Sequence, residues 1–136
     1  MPINADLDRL EGLIRTKVID PLALKHIRHH LQALRETRAF RYPELVDARD
    51  VSGTKVSVDE LKAIARTARN TLGHAATADR AVIVDGDRAF RSARVVAALV
   101  AGWVRLGVFE EADDAERWLV ERKEWSLPPS SEWHPD

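Results

Sequence analysis

The sequence predicts an α/β domain: a mixed sheet of four to five strands, an N-terminal hairpin and then parallel strands, with about four helices. Three observations lead there. Ala81-Val-Ile-Val84 is an uninterrupted apolar run that ends in charge, as a buried parallel strand does. Leu45 and Val46 open a second, shorter run that leaves the core at Asp47. Around these runs the apolar residues switch to helical spacing, and strands that alternate with helices imply parallel neighbours joined by right-handed crossovers.

The elements follow in order. Pro2–Leu7 forms an edge strand, with Ile3, Ala5 and Leu7 on one face, and Asp8-Arg9 turns the chain. Leu10–Ile19 is the return strand; in its second half Ile14, Thr16 and Val18 alternate with Leu13, Arg15 and Lys17. Asp20-Pro21 stops it and opens a helix. That helix, Leu22–Glu36, carries an apolar stripe of Leu24, Ile27, Leu31 and Leu34. Ala39–Pro43 connects to the central strand, and a polar loop then leads to Ser57. Ser57-Val-Asp-Glu60 is a capping box. The helix behind it turns Leu61, Ile64, Ala65, Ala68 and Leu72 inward and Lys62, Arg66 and Arg69 outward, and Gly73 suits its end. After Ala81–Val84, Asp85-Gly86-Asp87 turns the chain and caps a third helix, Arg88 to about Leu106. It is apolar on nearly all sides, through Phe90, Val95, Val96, Leu99, Val100, Trp103 and Val104. Such a helix is buried on both sides or covered by a second subunit, so a homodimer is expected. Gly107–Phe109 is a last strand, and a final helix begins near Asp113 with Ala115, Trp118 and Leu119 facing in. From Lys123 to Asp136 the chain, with Trp125, Pro128-Pro129 and Trp133, reads as an irregular tail on a single domain.

Composition narrows the function classes. The 136 residues are 45% hydrophobic and 32% charged, which suits a globular domain with a real core. The net charge of -1, from 21 basic and 22 acidic residues, gives no basic excess to attract nucleic acid. Cysteine is absent, which excludes disulfides, thiolate zinc sites and a cysteine nucleophile, and fits a cytoplasmic setting. The first residues lack a signal-peptide pattern. The longest apolar run, Val95–Val104, is about half of a membrane span. There is no Gly-x-Ser-x-Gly elbow, no phosphate-binding glycine loop and no Ser/His/Asp set, so neither an enzyme nor a cofactor is expected.

Three segments give the chain a family resemblance: Leu45-Val-Asp-Ala-Arg-Asp-Val51, Ala81–Arg94 and Val108–Leu119. With the order of elements, they resemble the STAS domain, and within it the uncharacterised SpoIIAA-like branch. In that branch a Leu-Val-Asp strand precedes a capped helix, and a Phe…Ala-Arg segment, here Phe90–Arg94, opens the third helix. The resemblance spans about residues 2 to 121. It implies the fold and a non-enzymatic regulatory or protein-binding module. Anti-sigma-factor antagonists carry an Asp-Ser-Ser-Gly-type motif at the start of the second helix, where a serine is phosphorylated. Here Val56-Ser57-Val58-Asp59 stands there, which leaves Ser57 as the candidate phosphosite with different neighbours.

The candidate ligand or partner site lies where the two central strands end. Asp47, Arg49, Asp50, Asp85 and Asp87 follow the C-terminal ends of strands expected to be parallel neighbours, which is where ligands bind in open α/β sheets. Ser57 and Arg88 sit at the N-termini of the helices that follow, which offer amides to an anion. As a helix cap Ser57 needs no further function, and the cap is sufficient to explain it. Arg94 falls on the face shared by Phe90, Ala97 and Ala101. There a buried guanidinium needs Asp47 or Asp85 as its ion-pair partner, or a bound anion. His26, His29 and His30 fall away from the stripe of the first helix and read as a solvated face; the rival reading is a metal pair at helical spacing. A small apolar or anionic ligand, lipid-like or nucleotide-like and carried between sheet and helices, is the alternative to the regulatory role.

Overall fold

The computed structural model describes residues 2–20, 22–51, 57–72 and 78–126, with side chains as far as Glu121. Pro21, the Ser52–Val56 loop, Gly73 as a helix end and the tail beyond Ser126 lie outside the described residues, as does the side chain of Trp125. Five strands form one sheet in chain order: β1 (Ile3–Asp8), β2 (Leu13–Ile19), β3 (Glu44–Asp50), β4 (Arg80–Ile83) and β5 (Leu106–Phe109). β1 and β2 pair antiparallel, and every later pair is parallel. The central register sets Leu45 against Ala81 and Val46 against Val82. The predicted mixed α/β sheet with four helices is the observed architecture.

Chain order across the sheet fixes where the helices go. α1 (Leu24–Glu36), α2 (Val58–Leu72) and α3 (Asp87–Val100) are the three crossovers, and they line up on one face. α4 (Ala112–Ser126) follows β5 and packs on the other, against β3, β4 and β5. Side chains alternate accordingly. Leu45, Ala81 and Ile83 meet Ala115 and Leu119 of α4 in a dense core layer, with Leu13, Phe109 and Trp118 around it. Each fully buried Leu or Ile there contributes roughly 1.5–3 kcal/mol. On the other face, Ala65, Leu72, Val100 and Val104 cluster near the N-terminal ends of the strands.

Several boundaries differ from the sequence reading, each for a local reason. β2 begins at Leu13 and not at Leu10. Asp8 Oδ1 accepts from the amides of Leu10 and Glu11 at 3.1 Å each, Gly12 takes φ +64°, and Leu10 is fully exposed in the resulting turn. α1 begins at Leu24, two residues late, with the Ala23 amide donating to His26 Nδ1 at 2.9 Å. β3 runs on to Asp50, its polar end held by Lys17 of β2. α3 stops at Val100, and the chain turns through Trp103 before β5. Nor is α3 buried on both sides: Val95 and Leu99 are exposed, because no element lies beyond them among the described residues. α4 passes Lys123 and reaches Ser126. Its Glu-Arg-Lys-Glu stretch has no apolar period but consists of good helix formers.

Candidate functional site: an apolar cavity over a buried charge cluster

Glu44 and Arg80 each open a central strand, and they are register partners on β3 and β4. Both side chains point to the α1–α3 face, and the residues are 2% and 5% exposed. A buried carboxylate persists only with strong partners, and Glu44 has three. Its Oε2 accepts from the Thr16 hydroxyl of β2 and from His30 Nε2 of α1, the latter at 2.7 Å. Its Oε1 lies 3.2 Å from Arg80 Nε, off the N–H axis, so that contact is Coulombic and not a hydrogen bond. The rest of the Arg80 guanidinium donates to the carbonyls of Ala78 (2.8 Å), Phe40 (3.3 Å) and Tyr42 (3.4 Å). Burial is the largest influence on the Glu44 carboxyl and pushes its pKa up. The His30 bond, the Arg80 charge and the Thr16 bond together outweigh it, so the group titrates below its ordinary value. As an ionised carboxylate it only accepts, so His30 carries its proton on Nε2. Burial pulls the Arg80 pKa down, against the pull of Glu44 and Asp79, and a guanidinium stays charged regardless.

Above this cluster, between the sheet and the three crossover helices, lies a cavity of about 320 Å³. Its floor is Val46 and Ala48 of β3 and Val82 of β4. Its walls are the inner stripes of the helices: Ile27 and Leu31, Ile64 and Ala68, Ala93 and Val96. The lining is almost all carbon, with His30 and Thr16 as polar groups at the Glu44 end. Small side chains leave the space, since Ala48, Ala68, Ser92 and Ala93 stand where larger ones would fill it. Val46 and Val82 consequently stay only partly buried although they lie in central strands. The arrangement can desolvate an apolar molecule.

The residues singled out at the strand ends are placed differently. Asp47 points to the α4 face, opposite the cavity. It takes a two-pronged contact from Arg49, Nε to Oδ1 at 3.0 Å and Nη2 to Oδ2 at 2.8 Å, and Lys17 Nζ reaches it at 3.3 Å. The Arg49 bonds chiefly, with Lys17 behind them and partial burial opposing, hold the Asp47 carboxyl far below the carboxylate range. Asp50 pairs with Lys17 at 2.8 Å. Asp85, Asp87 and Arg88 are exposed at the start of α3. Ser57 forms the capping box: its Oγ accepts from the Glu60 amide at 3.1 Å, and Glu60 Oε1 accepts from the Ser57 amide at 3.3 Å. The structure therefore gathers Lys17, Asp47, Arg49 and Asp50 into one ion-pair group. It stations Ser57, Asp85, Asp87 and Arg88 around the helix starts.

Two readings need correction. Arg94 is exposed, not buried, and lies over the Phe90 ring at 5.9 Å, so it has no need of a buried carboxylate. His30 does not face solvent with His29. It turns under α1 to Glu44 with its side chain 15% exposed, because Glu44 draws it inward. No group of His, Asp or Glu among the described residues is arranged to hold a metal. Glu44 and Arg80 were missed because a charge next to an apolar run reads as the end of a strand. Their signal was that each directly precedes one of the two central runs.

No family model matches the chain, and no curated protein matches it. Among solved structures it is similar to an uncharacterized protein from the DUF3478 family with a SpoIIAA-like fold, from Shewanella loihica PV-4. The TM-score is 0.57 and the sequence identity 16%, over 86% of this chain and 91% of that one. No helix among the described residues is long and apolar enough to cross a membrane. Strand order, the antiparallel first pair and the helix layers agree with that likeness: the chain has the SpoIIAA-like α/β fold.

Proposed function

We propose that this protein is a non-enzymatic binding module that holds a small apolar molecule between its sheet and α1–α3. The cavity carries the reading. At about 320 Å³ it falls within the ~300–1,000 Å³ of small-molecule sites, and apolar cavities of about 150 Å³ already accept benzene-sized guests. Its carbon lining supplies affinity, and the His30–Glu44 end gives it a direction. The test is titration with an environment-sensitive apolar dye, followed by native mass spectrometry of the purified protein. Val82→Phe puts a ring into the floor of the cavity and should weaken dye binding at least tenfold while the fold stays intact. Dye binding equal to wild type in that variant would rule the cavity out.

A second reading is a regulatory module that contacts a protein, this chain included, through α3. The observation behind it is that Val95 and Leu99, one turn apart, are 40% and 38% exposed. Ser57 belongs to this reading as a phosphosite. Its residue is exposed at the N-terminus of α2, where the helix dipole favours a dianion. A one-subunit mass in sedimentation at micromolar concentration removes the homodimer.

A further inference from the structure

The outer surface of α1 and α2 holds a second concavity, separate from the cavity beneath. Arg28, Gln32 and Arg35 fall on one stripe of α1, spaced four and three residues apart. Arg66, Thr67 and Asn70 fall on the facing stripe of α2. Together they line a groove of about 380 Å³ in which three guanidiniums, a carboxamide from each helix and the hydroxyls of Thr67 and Thr71 converge, and no carboxylate lines it. Arg35 is positioned in advance: its Nη1 donates to the Thr71 carbonyl of α2 at 2.8 Å, which fixes the guanidinium across the helix pair. Neither Arg28 nor Arg66 forms an ion pair among the described residues. The near-zero net charge of the chain hides this segregation. α1 and α2 carry Lys25, Arg28, Arg35, Lys62, Arg66 and Arg69 against Glu36, Asp59 and Glu60, while the approach to α4 and its first turns carry Glu110, Glu111, Asp113, Asp114 and Glu116.

We propose that the α1–α2 groove is a binding site for a small multiply phosphorylated anion. Guanidinium forks match phosphoryl oxygens in pairs, and Asn70 and Thr67 add neutral donors, while the Gln32 amide already donates to Glu36 Oε2 at 3.3 Å. From Arg28 to Arg35 is about 10 Å along the helix axis, a length that seats two or three linked phosphoryl groups. The concavity favours a discrete ligand over a flat anionic surface. This site does not depend on the cavity being occupied, because it uses different stripes of the same helices.

The test uses the whole chain with inorganic triphosphate as the probe, by isothermal titration at low and at 0.5 M salt. Saturable one-to-one binding that weakens with salt is expected. Arg28→Gln and Arg66→Gln should each weaken it about tenfold, the loss of one charge-assisted contact, while Lys17→Gln on the other face leaves it unchanged. Both arginines are exposed, so circular dichroism should show an unaltered fold. Failure of triphosphate to saturate, or equal affinity in Arg66→Gln, overturns the proposal. Retention on anionic phospholipid vesicles that triphosphate does not compete away also overturns it, since the face would then be a membrane-docking surface.

Discussion

Replacing Glu44 by Gln tests the central electrostatic reading of this domain. The substitution keeps the shape of the side chain and removes its charge. Arg80, 5% exposed, then keeps three carbonyl acceptors and the weaker pull of Asp79, but loses its principal counter-charge. The bond from His30 and the bond from Thr16 also change from charge-assisted to neutral. Breaking one side of a buried pair costs about 3–5 kcal/mol. The hydrogen-bond losses belong to that same figure and are not added to it, because the groups form one network. A domain of this kind has roughly 5–15 kcal/mol in all, so the variant should lie close to the edge of folding. With a urea slope of about 1–3 kcal/mol per molar, the midpoint should fall by about 2 M. Arg80→Met alone should also destabilise, since it strands both Glu44 and the three carbonyls. The double variant should be less damaged than the two single costs predict, by at least about 1 kcal/mol. The pH dependence has a definite sign. The Glu44 carboxyl titrates below its ordinary 4.5 in the folded chain. Its contribution is therefore complete above that value and is lost as pH falls through the lower, folded value. The gap between wild type and Glu44→Gln should narrow on acidification below about pH 4.5. A single-variant cost under about 1 kcal/mol, additive costs in the cycle, or a gap unchanged down to pH 3 would each refute the buried pair.

Two further substitutions probe packing and capping. At Gly107, a Cβ would come 2.7 Å from Phe109 Cε2 and 3.1 Å from Trp118 Cζ3, inside a ring pair whose centroids are 5.6 Å apart. Gly107→Ala should cost about 1–3 kcal/mol as both rings give way, read as a lower urea midpoint with a changed tryptophan emission; an unchanged midpoint means that α4 does not close over β5 as described. Ser57→Ala should cost about 1 kcal/mol by removing the cap of α2. A loss of less than about 0.3 kcal/mol would show that the capping box does not form in solution.

The sheet was legible from the sequence because its evidence is local. Ala81–Val84 is β-branched and continuous, the Ser57–Glu60 box marks one helix start, and alternation after a hairpin leaves few topologies. The parallel pairing of Leu45 with Ala81 follows from those three features. Boundaries failed where one hydrogen bond outweighs a pattern: the Asp8 carboxylate capturing two amides delays β2 by three residues. They failed also at α4, where composition without periodicity still makes helix.

The site was less legible, and for a different physical reason. Periodicity reports which side chains face inward. It does not report whether the inward layer is filled. Ala48, Ala68 and Ala93 look like ordinary small core residues, and only their convergence from three elements on one spot leaves a cavity. The charge cluster was hidden by the same non-locality. Thr16, His30, Glu44 and Arg80 come from four elements and are unremarkable singly. His30 read as solvent-facing because the α1 stripe was judged on apolar residues alone, while the group that draws it inward is a carboxylate 14 positions away. A charged residue at the first position of each of two adjacent parallel strands, opposite in sign and in register, is a pattern with a physical meaning: the sheet can bury the pair only if it aligns them. That juxtaposition is where burial of charge and the open apolar space meet. It gathers the charged and hydrogen-bonded groups of the cavity at one end, which is what a site needs in order to orient an apolar guest.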